Sequence, residues 1–259
     1  MQLTFLGTGD SLGTPRVYCD CQVCVEARLT GMNRRYRSSL WLEEKDLPPL
    51  LLDCGPDWRI QMEAIGRRKV TQALITHAHM DHIAGLTEWA DSCRWQEEQA
   101  SIFAPLEVLN EVRTRYPWVE NQLKMYNIDN GMSYGKWRIW PWRVNHGKNG
   151  YSYAYRFDHQ EDGQSWVYCS DAINLTVEQL VPMQNVSLLV LGTSYVKEAF
   201  EMETRSVYDM HEGLQLAAET HSKRVIFTHL SHDVNVDMDM DYKLPSHVTL
   251  AKTGMKVEI

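Results

Sequence analysis

Short apolar runs punctuated by glycine, proline and polar clusters set the reading of this chain. Residues 3–6 and 70–74, the latter continued by Ile75, read as buried strands. Residues 186–191 are almost unbroken aliphatics, the pattern of a strand covered on both faces. Residues 38–43 and 50–55 read as a hairpin across a loop at 46–49. Further strands are predicted at 101–105, 137–144, 151–157, 166–171 and 224–228, with strand-like pieces in 248–259.

Helical spacing appears between these runs. One helix follows Cys24, and one begins at Pro56 with Ile60, Ala64 and Ile65 as its apolar positions. A third runs from Ile83 to Trp95, a fourth lies within 107–130, and a fifth extends from Asp209 to about Thr220. The remainder of 107–130 reads as an aromatic, polar loop carrying Tyr116, Trp118 and Tyr126, residues suited to stacking on a base or to packing a lid or interface. Residues 193–208 mix charges with few core positions and read as a mobile loop. The basic cluster at 34–37 reads as a solvated face and the acidic run 233–241 as a solvated turn.

A chain of 259 residues with 44% apolar content can bury a substantial core without dividing, so one domain over 1–259 is expected. A net charge of −8 argues against a general phosphate-backbone binder, which needs a basic face, and so against long nucleic acid as a partner. A small anionic substrate stays open, because metals can supply positive charge locally. The first residues carry no charged start, apolar run and cleavage site, and no apolar run reaches the length of a membrane span. The expectation is a cytoplasmic protein with no membrane partner. Nine tryptophans leave room for a subunit interface, and a homodimer is one open expectation.

The chemistry concentrates at Thr76-His77-Ala78-His79-Met80-Asp81-His82, a strand-to-helix corner crowded with imidazoles and a carboxylate. Such ligands suit zinc, manganese or iron, and crowding them is costly unless cations orient and neutralise them. Asp53, His146, Asp171 and His229 also follow predicted strands, the place where ligands sit at the loop edge of an α/β sheet. Near the start, Cys19, Cys21 and Cys24 form a Cys-x-Cys-x-x-Cys run that needs a fourth ligand to close a tetrahedral zinc site, and His232 is the candidate. The glycine-rich turn at 7–13 can approach an active site closely.

His-x-His-x-Asp-His after a strand resembles the metallo-β-lactamase superfamily, over nearly the whole chain from Thr4-Phe5-Leu6-Gly7-Thr8-Gly9 to the last strand. The three-cysteine insert around 15–30 and the His229-x-x-His232 pair make the chain most similar to the PhnP-type cyclic phosphodiesterases. The resemblance implies a four-layer αββα sandwich of the α/β class. It implies two divalent metal ions, manganese or zinc, one held by His77, His79 and His146, the other by Asp81, His82 and His229, with Asp171 between them. It implies a separate structural zinc on Cys19, Cys21, Cys24 and His232, and a supporting role for Asp53, either orienting an imidazole or capping a helix.

The activity implied is hydrolysis of small phosphodiesters, cyclic ribose or nucleotide phosphates among them, by attack of a metal-bridging hydroxide. Asp81 and His211 are the candidate catalytic residues, His211 as the acid that protonates the leaving oxygen, since family members have a histidine in a similar place before a helix. Two alternatives stand beside it: a tRNase Z-like RNA-processing endonuclease, which would need a basic arm this chain lacks, and a non-catalytic member that binds ligand through the same fold. A redox di-iron branch has Glu where this chain has His79, and a β-lactamase would need an export signal.

Overall fold

The computed structural model describes residues 1–238 and 242–259. In chain order its first half comprises β1 (Gln2–Gly7), α1 (Gln22–Leu29), β2 (Ser39–Glu43), β3 (Leu50–Leu52), α2 (Trp58–Ala64), β4 (Gln72–Leu74), α3 (Met80–Ile83), α4 (Leu86–Trp95), β5 (Ala100–Ala104), α5 (Leu106–Arg115) and β6 (Leu123–Asn127). The second half comprises β7 (Met132–Tyr134), β8 (Trp137–Asn145), β9 (Tyr151–His159), β10 (Ser165–Cys169), α6 (Val177–Leu180), β11 (Leu188–Gly192), α7 (Met210–Glu219), β12 (Val225–Thr228), β13 (Val248–Leu250) and β14 (Lys256–Glu258).

Two mixed sheets result, ordered β14-β1-β2-β3-β4-β5-β6 and β13-β12-β11-β10-β9-β8-β7. Side-chain alternation along each strand sorts residues into three apolar layers. In β10, Trp166 and Tyr168 face the space between the sheets, while Val167 and Cys169 face the helices outside. The layer between the sheets also holds Leu3, Phe5, Leu40, Leu52, Phe157 and Ile226, with Phe157 stacked on Trp166 at 3.9 Å between ring centroids. Trp58, Met62, Leu86, Trp89 and Val112 cover the first sheet from outside, and Leu216 and Ala217 of α7 cover the second. Each fully buried large aliphatic contributes about 1.5–3 kcal/mol, so these layers dominate the stability. The result is the αββα sandwich.

β3, β4 and β5 run parallel in one sheet, and β10, β11 and β12 run parallel in the other. Their carboxyl ends open on the same edge. The sheets are stitched there by Gly9, which bridges both to Arg37 and to Leu230.

Several expectations change. α2 starts at Trp58 rather than Pro56, and its buried face is Trp58, Gln61 and Met62, whereas Ile60 and Ala64 are exposed and Ile65 packs at the edge of the layer, because packing against α4 sets its phase. Residues 123–127 are not loop but the edge strand β6, pairing parallel with β5; its polar, exposed positions hide an edge strand from a pattern search. Arg35 in the basic cluster is buried, donating to the Ser231 carbonyl at 2.7 Å and to Thr14 Oγ1 at 3.1 Å. Residues 193–208 do contribute to the interior, through Thr193, Ser194, Arg205 and Val207. Of the acidic run at 233–241, residues 239–241 lie outside the described residues.

The helix predicted from Ile83 to Trp95 is broken at Ala84-Gly85, between α3 and α4. A Cβ on Gly85 would lie 2.2 Å from the Gly55 carbonyl oxygen and 2.7 Å from Trp58 Cβ. The absent side chain lets α3 seat against the end of β3. We expect Gly85→Ala to cost at least about 2 kcal/mol in urea unfolding and to weaken metal binding with it, since backbone rather than a flexible side chain must move.

Candidate metal centre

Donors reach the shared edge on the loops that leave the strands. Asp53 follows β3, His77 follows β4, His146 follows β8, Asp171 follows β10 and His229 follows β12. Asp53 and His229 hold left-handed backbone, at φ 59° and 57°, a conformation that non-glycine residues adopt chiefly where the surroundings over-determine it. His79 is the N-cap of α3, and Asp81 and His82 lie on that single turn.

Two donor triads form, His77 with His79 and His146, and Asp81 with His82 and His229; within each the ligand atoms lie within 4.8 Å of one another. Asp171 stands between them. Its Oδ1 is 3.2 Å from His229 Nε2 and 3.7 Å from His146 Nε2, and its Oδ2 is 3.3 Å from His82 Nε2.

The outer nitrogens of these rings are held by protein groups. His82 Nδ1 donates to Asp53 Oδ2 at 2.8 Å, and Asp53 is fixed in turn by the Thr76 amide at 2.8 Å. His146 Nδ1 donates to the Ser206 carbonyl at 2.7 Å. His77 Nδ1 meets Thr76 Oγ1 at 2.9 Å and Ser152 Oγ at 3.3 Å. Each contact turns the inner nitrogen toward the centre and fixes its tautomer. Asp53 therefore supports an imidazole; the N-cap of α2 is Asp57, so Asp53 caps no helix.

Burial alone would push the His82 imidazolium down, yet Asp81, Asp171 and Asp53 together hold it well above its ordinary value. His229, equally buried, is pushed up to about 9 by Asp171 and Asp81. His77, buried and facing His82, goes well below. Asp171 and Asp81 are held well below the usual carboxylate range against burial, Asp171 by His229 and His82, Asp81 by His82 and His229. Protons thus stand where positive charge is required.

Three buried atoms at the centre, His82 Nε2, His229 Nε2 and Asp171 Oδ2, have no hydrogen-bond partner among the described residues although they crowd together. Atoms left so cost about 1–3 kcal/mol each unless something binds them. Imidazole and carboxylate donors converging from several sides fit divalent metal ions, whose ligands sit about 2 Å from the ion.

A second donor group lies at the insert. Cys19, Cys21, Cys24 and His232 come together, with His232 Nδ1 3.5 Å from Cys21 Sγ and 3.4 Å from Cys24 Sγ. Cys21 is also the N-cap of α1, its sulfur accepting from the Cys24 amide. The cysteines are free thiols, and three sulfurs with one imidazole are the donor set of a tetrahedral zinc.

The two triads open into a cavity of about 460 Å³ that is also lined by Asp10 and Ser11 of the glycine-rich turn, by Arg16, Lys148 and Tyr195, and by Glu198 of the 193–208 loop. Of these only the turn was singled out in the sequence; the others are lone polar residues in irregular segments with no spacing to mark them. His211 is not brought to the site. It is exposed on the first turn of α7 and does not line the cavity, because Asp209 and Glu212 form the capping box and leave His211 on the outer face. Tyr116, Trp118 and Tyr126 do not line it either: Tyr116 packs on the first helical layer and Tyr126 stacks on Phe103.

The sequence profile of the β-lactamase superfamily domain matches residues 49–230. The chain belongs to that superfamily. An octanoyltransferase from Porphyromonas gingivalis is 26% identical over 273 residues, covering 100% of this chain and 52% of that protein. Coenzyme PQQ synthesis protein B from Acinetobacter baumannii is 27% identical over 138 residues, covering 49% of this chain and 44% of that protein. The chain thus spans about half the length of the curated relatives it matches. Among solved structures, a diphosphatase from the PhnP family superposes with a TM-score of 0.85 at 25% identity, covering 100% of this chain and 97% of that one. PqqB from Methylobacterium extorquens, solved with Zn²⁺, superposes at 0.78 with 15% identity over 100% of both chains, a likeness of fold. As a β-lactamase superfamily member similar to PhnP, the chain has the fold and donor set of a metal-dependent hydrolase. Among the described residues, no helix is long and apolar enough to cross a membrane.

Asp53→Ala should leave the donors in place but free the His82 ring, lowering metal affinity by about 10–100-fold in chelator competition. Affinity should also rise with pH until the proton on His229, held up to about 9, no longer competes.

Proposed function

We propose that this chain is a dinuclear metal hydrolase of small phosphodiesters, cyclic ribose or nucleotide phosphates among them. The observation that carries the reading is Asp171, which reaches both donor triads at the floor of a cavity sized for a small molecule. His77, His79 and His146 would hold one cation, Asp81, His82 and His229 the other, with Asp171 shared; manganese and zinc both suit these donors. Such cations would polarise a phosphoryl oxygen and lower the pKa of a water at neutral pH.

The chain's own groups orient and confine. Asp53, Thr76 and the Ser206 carbonyl fix the rings, and Arg16 and Lys148 place cationic groups on the cavity wall for an anionic ester. Arg16 is itself held by Asp10, whose Oδ2 accepts from NH2 at 2.6 Å. The similarity to the PhnP-family diphosphatase, which spans almost all of both chains, supports phosphoryl chemistry. A tRNase Z-like role has less support: the likeness to human tRNase Z is at 17% identity and one of fold, and a net charge of −8 does not suit a polynucleotide. A silent binding role is disfavoured because no donor is missing. We also read residues 1–259 as one hydrolase domain with a structural zinc at the 15–30 insert, acting in the cytoplasm without a membrane or long nucleic acid partner; a homodimer fits this reading equally.

The test is hydrolysis of adenosine 2′,3′-cyclic phosphate and bis(p-nitrophenyl) phosphate by protein reconstituted with manganese or zinc. Both should turn over, and Asp171→Ala should lose more than the roughly hundredfold typical of a supporting residue. His211→Ala should stay within about twofold of wild type, as an exposed substitution does. Metal-replete wild type that cleaves neither ester would end the phosphodiesterase reading.

A further inference from the structure

With His211 outside the cavity, the departing oxygen of a phosphodiester lacks a proton donor, and the cavity wall offers few. Val207, which lines the cavity just ahead of α7, carries no proton. Asp10 is taken up by Arg16 and by the amides of Leu12 and Gly13. Burial pushes the Tyr195 phenol up, which makes it a weak acid. Glu198 is left.

We propose that Glu198 donates the proton to the leaving oxygen of the substrate; the proposal rests on the phosphodiesterase reading above. Glu198 lines the same cavity of about 460 Å³ as His79, His146, Asp171 and His229, so a small ester seated on the donors shares that space with this carboxyl. Its side chain is 11% exposed. Arg205, 5% exposed, binds it through Nε at 3.0 Å, but gives NH1 and NH2 to Glu212 at 2.9 and 2.6 Å and lies 3.7 Å from Asp209. One guanidinium therefore faces three carboxylates.

The two on α7 are further satisfied by amides. Asp209 Oδ1 accepts from the Glu212 amide at 2.9 Å and its Oδ2 from the Glu198 amide at 3.0 Å, and Glu212 Oε2 accepts from the Asp209 amide at 3.0 Å. Among the described residues the Glu198 carboxyl has only the Arg205 contact, so it is the member of the trio best placed to keep a proton. Burial, aided by Asp209 and Glu212 and opposed by Arg205, shifts it in that direction. Across the cavity the charged groups of the wall are Asp10, Arg16 and Lys148, with Asp81, Asp171, His79, His146 and His229 at the donor end and Tyr195 also on the wall, and Asp10 already offsets Arg16.

In the step, a bond forms from the water oxygen to phosphorus as the bond from phosphorus to the leaving oxygen breaks, its electron pair staying on that oxygen. The Glu198 proton passes there, giving an alcohol. The carboxylate falls back on Arg205 and regains a proton from solvent, which also receives the proton lost by the water.

Glu198→Gln keeps an acceptor for Arg205 but no acidic proton, and leaving-group dependence separates the two roles. On metal-reconstituted full-length protein, kcat on adenosine 2′,3′-cyclic phosphate, whose alkoxide needs a proton, should fall by about 10²–10⁴-fold. On bis(p-nitrophenyl) phosphate, whose phenolate leaves unaided, the fall should be under about tenfold. In wild type, kcat for the cyclic ester should decline at high pH through one group more than for the phenyl ester. Equal losses on both esters would show that Glu198 only anchors Arg205 and would overturn the proposal, as would no loss on the cyclic ester. Should the variant fail to bind metal or to melt like wild type, the wild-type comparison decides: identical alkaline limbs for the two esters refute the proposal. If wild type cleaves neither ester, the phosphodiesterase reading falls and takes this proposal with it, an outcome distinct from active wild type with indifferent Glu198.

Discussion

Burying imidazoles and carboxylates together is the constraint on which this architecture depends. His77, His82, His146, Asp53, Asp81 and Asp171 are all under a tenth exposed, at the edge where two sheets meet. A charged group moved from water to protein interior costs several kcal/mol unless opposite charge and hydrogen bonds compensate it. The fold compensates in layers: protein donors and acceptors hold the outer nitrogens, carboxylates face the inner ones, and atoms still without a partner converge where a cation fits. Such a site demands that its supports hardly move. Strands supply that rigidity, since Asp53, His77, His146, Asp171 and His229 each follow the end of a strand by one to three residues and the strands are clamped between apolar layers.

The insert near the start of the chain belongs to the same scheme. His232 turns Nδ1 toward the cysteine sulfurs and Nε2 toward Arg16 NH1 at 3.0 Å, and Arg16 in turn grips Asp10 on the cavity wall. Three segments far apart in sequence are thereby fixed to one another: the glycine-rich turn, the cysteine run and the end of the chain beyond β12. Buried Arg35 adds a second tie between the same regions through Thr14 and the Ser231 carbonyl. The burial that pushes its guanidinium down to about 10 is tolerable because hydrogen-bond acceptors surround it. The cluster of three cysteines and His232 thus braces the cavity mouth from outside the two donor triads.

Much of this was legible in the sequence, for identifiable reasons. Strands buried on both faces announce themselves as aliphatic runs, as in β11, and ligands at strand ends inherit that clarity, as with His77, Asp171 and His229. Polar segments misled. The edge strand β6 has one buried position in five, so its pairing with β5 left no periodic trace. The phase of α2 was misread because Trp58 and Met62, not Ile60, meet α4. His211 draws notice because imidazole titrates near neutrality and similar proteins have a histidine in a like place before a helix, but which residue of a first turn faces inward depends on the cap. Here the capping residues Asp209 and Glu212 point that turn's charge toward Arg205 and leave the histidine in solvent.

The loop at 193–208 shows how an acidic chain can serve an anionic substrate. Its carboxylates do not repel from the cavity as free charges, because Arg205 gathers Glu198, Asp209 and Glu212 into one knot. The knot joins the loop to the N-terminus of α7, whose partial positive charge favours carboxylates there. A segment that reads as a mobile, charged loop is in this way a wall of fixed shape. On the proposed reading, that wall would favour small substrates. Its residues line the same cavity as the glycine-rich turn, with Ser206 beside His146, so what enters must fit between them, whereas a polymer needs an open basic track on which to lie. Selectivity for small esters would then follow from the same arginine that keeps the loop folded rather than from the metal-ligand candidates.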